Sequence, residues 1–206
     1  KGILKKDVGM QFIQQFVEYY FVEVAAPYLE ITDKLAGLQR KYMKGILEFA
    51  TPEDRIFPDA NSTLRVTYGK VEGYSPADAV KYEPFTYLDG VMEKYIPNDY
   101  EFDVPAKLRY LYERKEYGIY GKDGKMPVCF IATNHTTGGN SGSPAIDAKG
   151  NLIGLNFDRV WEGTMSDVYY DPKICRNIMV DIRYILFIID KYADASYLID
   201  EMKIIK

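Results

Sequence analysis

The chain has 206 residues, with 26 Lys and Arg against 30 Asp and Glu, a net charge of −4 and an isoelectric point near 5.2. That acidic balance argues against a protein that coats nucleic-acid phosphates, which would carry a basic stripe, and 47% apolar against 27% charged residues excludes disorder as the main state. Two cysteines and one histidine exclude a disulfide scaffold, a CxxC-type zinc site and a multi-histidine metal centre. No apolar run approaches the ~20 residues a membrane helix needs, so no membrane insertion is expected. The length suits one large or two small domains. Lys1 is not an initiator Met and opens no signal peptide. The chain therefore reads as a fragment or processed form, and missing targeting says nothing about location.

Met10, Ile13, Phe16, Val17, Tyr20 and Val24 recur at helical spacing and predict a first helix over residues 7–30. Pro27 marks its end or a kink. Leu35, Leu38, Tyr42, Ile46 and Phe49 predict a second helix that stops before Pro52, weakened by Gly37 and Gly45. Together they read as a helical hairpin whose apolar faces need a partner, a first domain over residues 1–56. A turn-rich stretch at 57–61 opens a second domain, 57–206. Residues 63–68 alternate, are β-branched and read as a strand. Helical spacing returns at 86–95 and 105–116. Strands follow at 128–132, 145–146 and 152–155, the last two joined by a hairpin turn over 147–151. Residues 178–180 form a final strand. Two amphipathic helices, one lined by Ile182, Ile185, Leu186 and Ile189 and one by Leu198, Met202 and Ile205, close the chain onto its core.

The chemistry concentrates in Thr137-Gly138-Gly139-Asn140-Ser141-Gly142-Ser143-Pro144. A serine between glycines can sit on a tight turn with its hydroxyl exposed, and the glycines tolerate unusual backbone angles and close approach of a substrate. The amides of Gly139 and Ser141 can point at one spot, the geometry of an oxyanion hole. The plain alternative is a Gly/Ser-rich loop without chemistry. Followed by a hairpin, GNSGSP resembles the GDSGGP nucleophile loop of chymotrypsin-like serine peptidases.

Three segments in order, PDANSTLRVTYGKVEGY at 58–74, TGGNSGSPAIDAKGNLIGLNFDRVWEG at 137–163 and CRNIMVDIRYILFIIDKYADASYLIDEM at 175–202, resemble the dipeptidyl-peptidase 7/11 family of bacterial serine exopeptidases. The resemblance covers most of the chain from Pro58 onward. It implies an α+β fold: the second β-barrel of a chymotrypsin-like double barrel, preceded by a helical hairpin from an inserted helical domain and closed by C-terminal helices. It implies that Ser141 is the nucleophile, that Gly139 and Ser141 supply the oxyanion amides, and that the catalytic His and Asp lie upstream of Lys1. His135 stands six residues before Ser141 and would have to fold back across the Gly138-Gly139 turn to serve as base. The family commonly has an acidic residue there, so His135 reads as a loop histidine. By the same resemblance Arg159 receives an Asp or Glu side chain before the cleaved bond, as a planar guanidinium fork suits a carboxylate. Asp158 lies near the site for the substrate's free amino terminus. The alternative for both is a surface ion pair with each other or a neighbour. Trp161, Asp167 and the tyrosines at 169 and 170 read as packing and loop residues. The implied function is release of N-terminal dipeptides from a peptide with a free N-terminus. It needs no metal or cofactor, takes place in the periplasm or at the cell surface, and is compatible with a homodimer of the full-length protein. In that compartment Cys129 and Cys175 are either two buried free thiols or a disulfide. Rival readings are an endopeptidase on the same barrel and a non-catalytic peptide-binding or structural module with a vestigial serine loop.

Overall fold

The computed structural model describes residues 6–51, 54, 56 and 61–205. They fall into two units, Lys1–Asn61 and Ser62–Lys206. The turn expected at 57–60 lies outside the described residues.

In the first unit Asp7 caps helix α1 (Val8–Tyr19), its carboxylate accepting from the Met10 N–H at 2.9 Å. The expected hairpin does not form. The backbone runs through a π-helical stretch, Tyr20–Ala25, straight into α2 (Ala26–Phe49), giving a continuous helical rod about 60 Å long. The Ala26 N–H donates to the carbonyl of Phe21, five residues back. This widened turn is where Pro27, which lacks a donor and whose ring crowds the preceding turn, enters without breaking the helix. No residue of α1 or α2 is buried, and Phe12, Phe16, Leu29 and Leu38 stand open to solvent.

The second unit begins with a correction. Residues 63–68 form no strand, and Leu64, Val66 and Tyr68 are each at least 80% exposed. β-propensity needs a neighbouring strand to act on, and the chain meets one only at Lys70, whose carbonyl accepts from Thr133 N–H at 2.9 Å, and at Val71, bridged to Ala132. Two short strands, β1 (Tyr74–Ala77) and β2 (Val80–Tyr82), then make a hairpin. Next come β3 (Phe85–Tyr87), α3 (Leu88–Glu93) and α4 (Ala106–Glu113). The helical spacing expected from 86 gives way at its start because residues 85–87 pair with the following strand.

Four further strands are β4 (Pro127–Ala132), β5 (Pro144–Ile146), β6 (Leu152–Arg159) and β7 (Asn177–Asp181). With β3 they form one antiparallel sheet in the order β3-β4-β7-β6-β5. Asp147 closes the β5–β6 turn by accepting from the N–H groups of Lys149 and Asn151 at 2.8 and 2.9 Å. After β7, α5 (Ile182–Phe187) starts at an Asp181 cap, passes through a π-turn at Ile188–Tyr192 and leads to α6 (Ser196–Asp200). The main core joins Leu88, Leu108, Leu111, Met126, Leu186 and Phe187, so α3, α4 and α5 pack into one body. A smaller cluster joins Phe130 and Ala132 of β4 to Met179 of β7, with Ala145 of β5 and Ile153 of β6 packed against it. Cys129 and Cys175 are free thiols; Cys175 is buried and Cys129 half-buried.

Candidate active site

Residues 137–143 run from the end of β4 into β5 as two successive tight turns. In the first, Asn140 N–H donates to the Thr137 carbonyl and the Asn140 side-chain oxygen accepts from Thr137 N–H at 2.9 Å. In the second, Ser143 N–H donates to the Asn140 carbonyl at 3.0 Å. Gly139 (φ 95°) and Gly142 (φ 82°) occupy the left-handed region, which a residue with a Cβ would adopt only with strain. Ser141 lies between them, exposed, its hydroxyl donating to the Phe157 carbonyl at 3.3 Å. Neither the Gly139 N–H nor the Ser141 N–H donates to any described residue.

The strand opposite is built to meet this loop. Along β6 and β7, Asn156 pairs with Met179 and Asp158 with Ile178, so Phe157 is an extra residue, a β-bulge. At this bulge the Phe157 carbonyl accepts from the Ser141 hydroxyl. Arg159 follows two residues on, roughly 7 Å further along the strand.

Arg159 and Asp158 do not pair through their side chains. Asp158 is exposed and accepts from the Arg159 backbone N–H at 2.8 Å. The Arg159 guanidinium, half-buried, instead grips Asp167 with both terminal nitrogens, at 2.8 and 2.7 Å, and donates to the Ser166 hydroxyl at 2.8 Å. That leaves Nε and one Nη2 hydrogen, a second fork, without a hydrogen bond to a described residue. The guanidinium holds the Asp167 carboxyl below the usual carboxylate range, and Asp167 in turn raises Arg159. Sequence reasoning treated Asp167 as a loop residue. Its signal was only an acid eight positions after an arginine, with no periodicity to join them.

His135 is turned away from chemistry at Ser141. Its Nε2–H donates to the Ser166 carbonyl at 2.8 Å, and its ring lies 4.8 Å from that of Tyr170. Trp161 is 85% exposed, so it contributes little to packing among the described residues. The Tyr170 hydroxyl donates to the Thr133 carbonyl at 2.6 Å and ties the 169–175 loop to the end of β4.

What this loop can do chemically is hold an oxyanion beside a hydroxyl, the pairing that serine peptidases use. The chain belongs to the family described as Peptidase S46, which matches residues 4–204. It is 67% identical over 207 residues to an Asp/Glu-specific dipeptidyl-peptidase of Capnocytophaga gingivalis, covering all of this chain and 29% of that protein. An Asp/Glu-specific dipeptidyl-peptidase of Flavobacterium psychrophilum is 66% identical over 208 residues, again with 29% of its length covered. A dipeptidyl-peptidase 7 of Capnocytophaga gingivalis is 48% identical over 172 residues, or 81% of this chain and 24% of that one. The crystal structure of Porphyromonas endodontalis DPP11 in complex with the dipeptide Arg-Asp matches with a TM-score of 0.87 at 49% identity, over 94% of this chain and 28% of that one. The chain thus spans about 29% of the length of these two Asp/Glu-specific relatives.

Proposed function

We propose that this chain is the C-terminal part of a serine dipeptidyl-peptidase that releases N-terminal dipeptides with Asp or Glu before the cleaved bond. The observation that carries the reading is the exposed Ser141 on a glycine-framed turn with two unpartnered amides, in a chain 67% identical to an Asp/Glu-specific relative. In this reading the antiparallel sheet is the second barrel of a chymotrypsin-like pair. Ser141 Oγ attacks the carbonyl of the second substrate residue, and the N–H groups of Gly139 and Ser141 hold the oxyanion that forms. The proton passes to a histidine on the part of the protein before Lys1, oriented by an aspartate there. His135 takes no part, because its Nε2 is committed to a carbonyl, and the isolated chain is inactive. The second fork of Arg159 takes the substrate's carboxylate, and exposed Asp158 favours its ammonium group. A periplasmic or cell-surface location completes the reading.

The test is Ser141→Ala in the full-length enzyme. Loss of a triad serine removes up to ~10⁶-fold in kcat, and a variant folded as wild type should lose nearly all turnover of a Leu-Asp coumarin amide. An alanine variant that keeps a tenth of wild-type kcat would show that the nucleophile lies elsewhere.

A further inference from the structure

Asn156 is buried on β6 and uses all four of its hydrogen-bonding groups, three of them on the serine loop. Its N–H donates to the Ser143 carbonyl at 2.9 Å, and its carbonyl accepts from Gly142 N–H at 2.7 Å. Its side-chain amide donates to the Asn140 carbonyl at 3.2 Å, and its side-chain oxygen accepts from the Asn177 side-chain amide at 2.8 Å. Asn177, 1% exposed on β7, is left with a buried side-chain oxygen that has no partner in the structure.

The direction of this relay is forced. A carbonyl accepts only, so the Asn156 amide nitrogen must face Asn140. Its oxygen then faces Asn177, whose amide nitrogen must face back. The unpaired oxygen of Asn177 is the far end of a chain whose near end is fixed by the loop.

A planar trans peptide sets C=O and the next N–H in opposite directions. We propose that Asn156, backed by Asn177, is a positioning residue for the oxyanion hole. By holding the Asn140 carbonyl inward, toward the sheet, it turns the Ser141 N–H outward, where it has no protein partner. The Ser143 N–H also holds that carbonyl, but it belongs to the same exposed turn and moves with it. The Asn156 side chain is the link from the sheet to that carbonyl. The proposal rests on the reading of Ser141 as nucleophile.

The experiment uses the full-length enzyme with Asn156→Ala, Asn156→Asp and Asn177→Ala. Kinetics are measured on a Leu-Asp coumarin amide, with inhibition by a dipeptide aldehyde, whose adduct places an oxyanion in the hole, and by Arg-Asp amide, whose C-terminal carboxamide is neutral and places no charge there. A complete loss of an oxyanion donor lowers kcat by 10²–10³-fold, and a mis-aimed one by less, about 10- to 100-fold. Both Asn156 variants should lose that much in kcat with KM within about twofold and weaken aldehyde binding in parallel, with a much smaller effect on Arg-Asp amide binding. Asn177→Ala should show the same pattern at smaller size. If the Asn156 variants do not fold, the Asn177 variant decides by the same split. Folded variants with near wild-type kcat, or a kcat loss without loss of aldehyde affinity, overturn the proposal. Full activity in Ser141→Ala would instead overturn the nucleophile reading beneath it.

Discussion

One guanidinium carries the specificity reading. Arg159 spends its end-on fork and one further hydrogen on Asp167 and Ser166, and keeps the Nε side. Pairing that side with a substrate carboxylate contributes ~1.5–3 kcal/mol, as hydrogen bonds to charged groups do, which is roughly 10- to 150-fold in kcat/KM. Arg159→Gly in the full-length enzyme should lower the ratio of kcat/KM for Leu-Asp over Leu-Leu coumarin amides by that factor, and an unchanged ratio would leave Arg159 a surface residue. The ion pair makes a second, independent statement. The charged form of Asp167 is favoured in the folded protein, so its carboxyl titrates below the ordinary range. The support that the pair gives is present above the unfolded-state carboxylate pKa, near 4, and is lost as pH falls through the lower folded value. An NMR titration should find the Asp167 midpoint depressed, and Arg159→Gly should return it toward ~4. A midpoint that ignores the substitution would mean that the pair does not persist in solution.

Among the elements, β6 is the one the site depends on. It needs a glycine at 154, because a Cβ there would sit 2.5 Å from the Val180 carbonyl oxygen and 2.8 Å from the Phe130 ring. Both neighbours are fixed, one by the β6–β7 ladder and the other by the smaller core cluster. Gly154→Ala should therefore destabilise the protein by about 1–3 kcal/mol, the usual result of forcing a methyl into packed surroundings, and should lower activity by shifting the serine loop's support. Thermal unfolding and kcat together check this; an alanine variant with wild-type melting would show that the strands separate freely. At the other end of the chain, α1 and α2 show how a helix passes a proline. The register change at Tyr20–Ala25 converts a stop signal into an insertion of one residue per turn.

For the whole molecule, the most connected buried charge among the described residues is Arg176. Its guanidinium donates to the carbonyls of Glu72, Gly73, Pro172 and Cys175, all at 2.8–3.0 Å, and lies 5.7 Å from the Tyr74 ring centre. It clips the entry into β1 to the loop that enters β7. Tyr74 reaches over to Glu162, and burial with that contact pushes its phenol well up. Arg176→Ala strands four carbonyls, and denaturant unfolding should show a loss of about 3 kcal/mol or more; a loss under ~1 kcal/mol would mean that water replaces the clip at little cost.

These features divide along a physical line. The residues from 127 to 181 were legible because their signals are local. Short apolar runs predict β4, β6 and β7, the Asp147 turn predicts a hairpin, and the glycines around Ser141 announce a turn that exposes a hydroxyl, each set by a few neighbouring residues. Residues 63–68 alternate and are β-branched yet form no strand, because a strand is completed by a partner that sequence does not specify. The helix expected to turn back at Pro27 runs on, because a π-turn is a property of the hydrogen-bond ladder and not of one residue. The Arg159–Asp167 grip, the bulge at Phe157, the Asn140–Asn156–Asn177 relay and the Arg176 clip join positions between 8 and 104 residues apart. Sequence by itself determined that a serine stands in a loop able to expose it. Which way that loop's amides point, and which charges meet, was decided by how the strands register, since hydrogen-bond direction depends on contacts that exist only once the chain has folded.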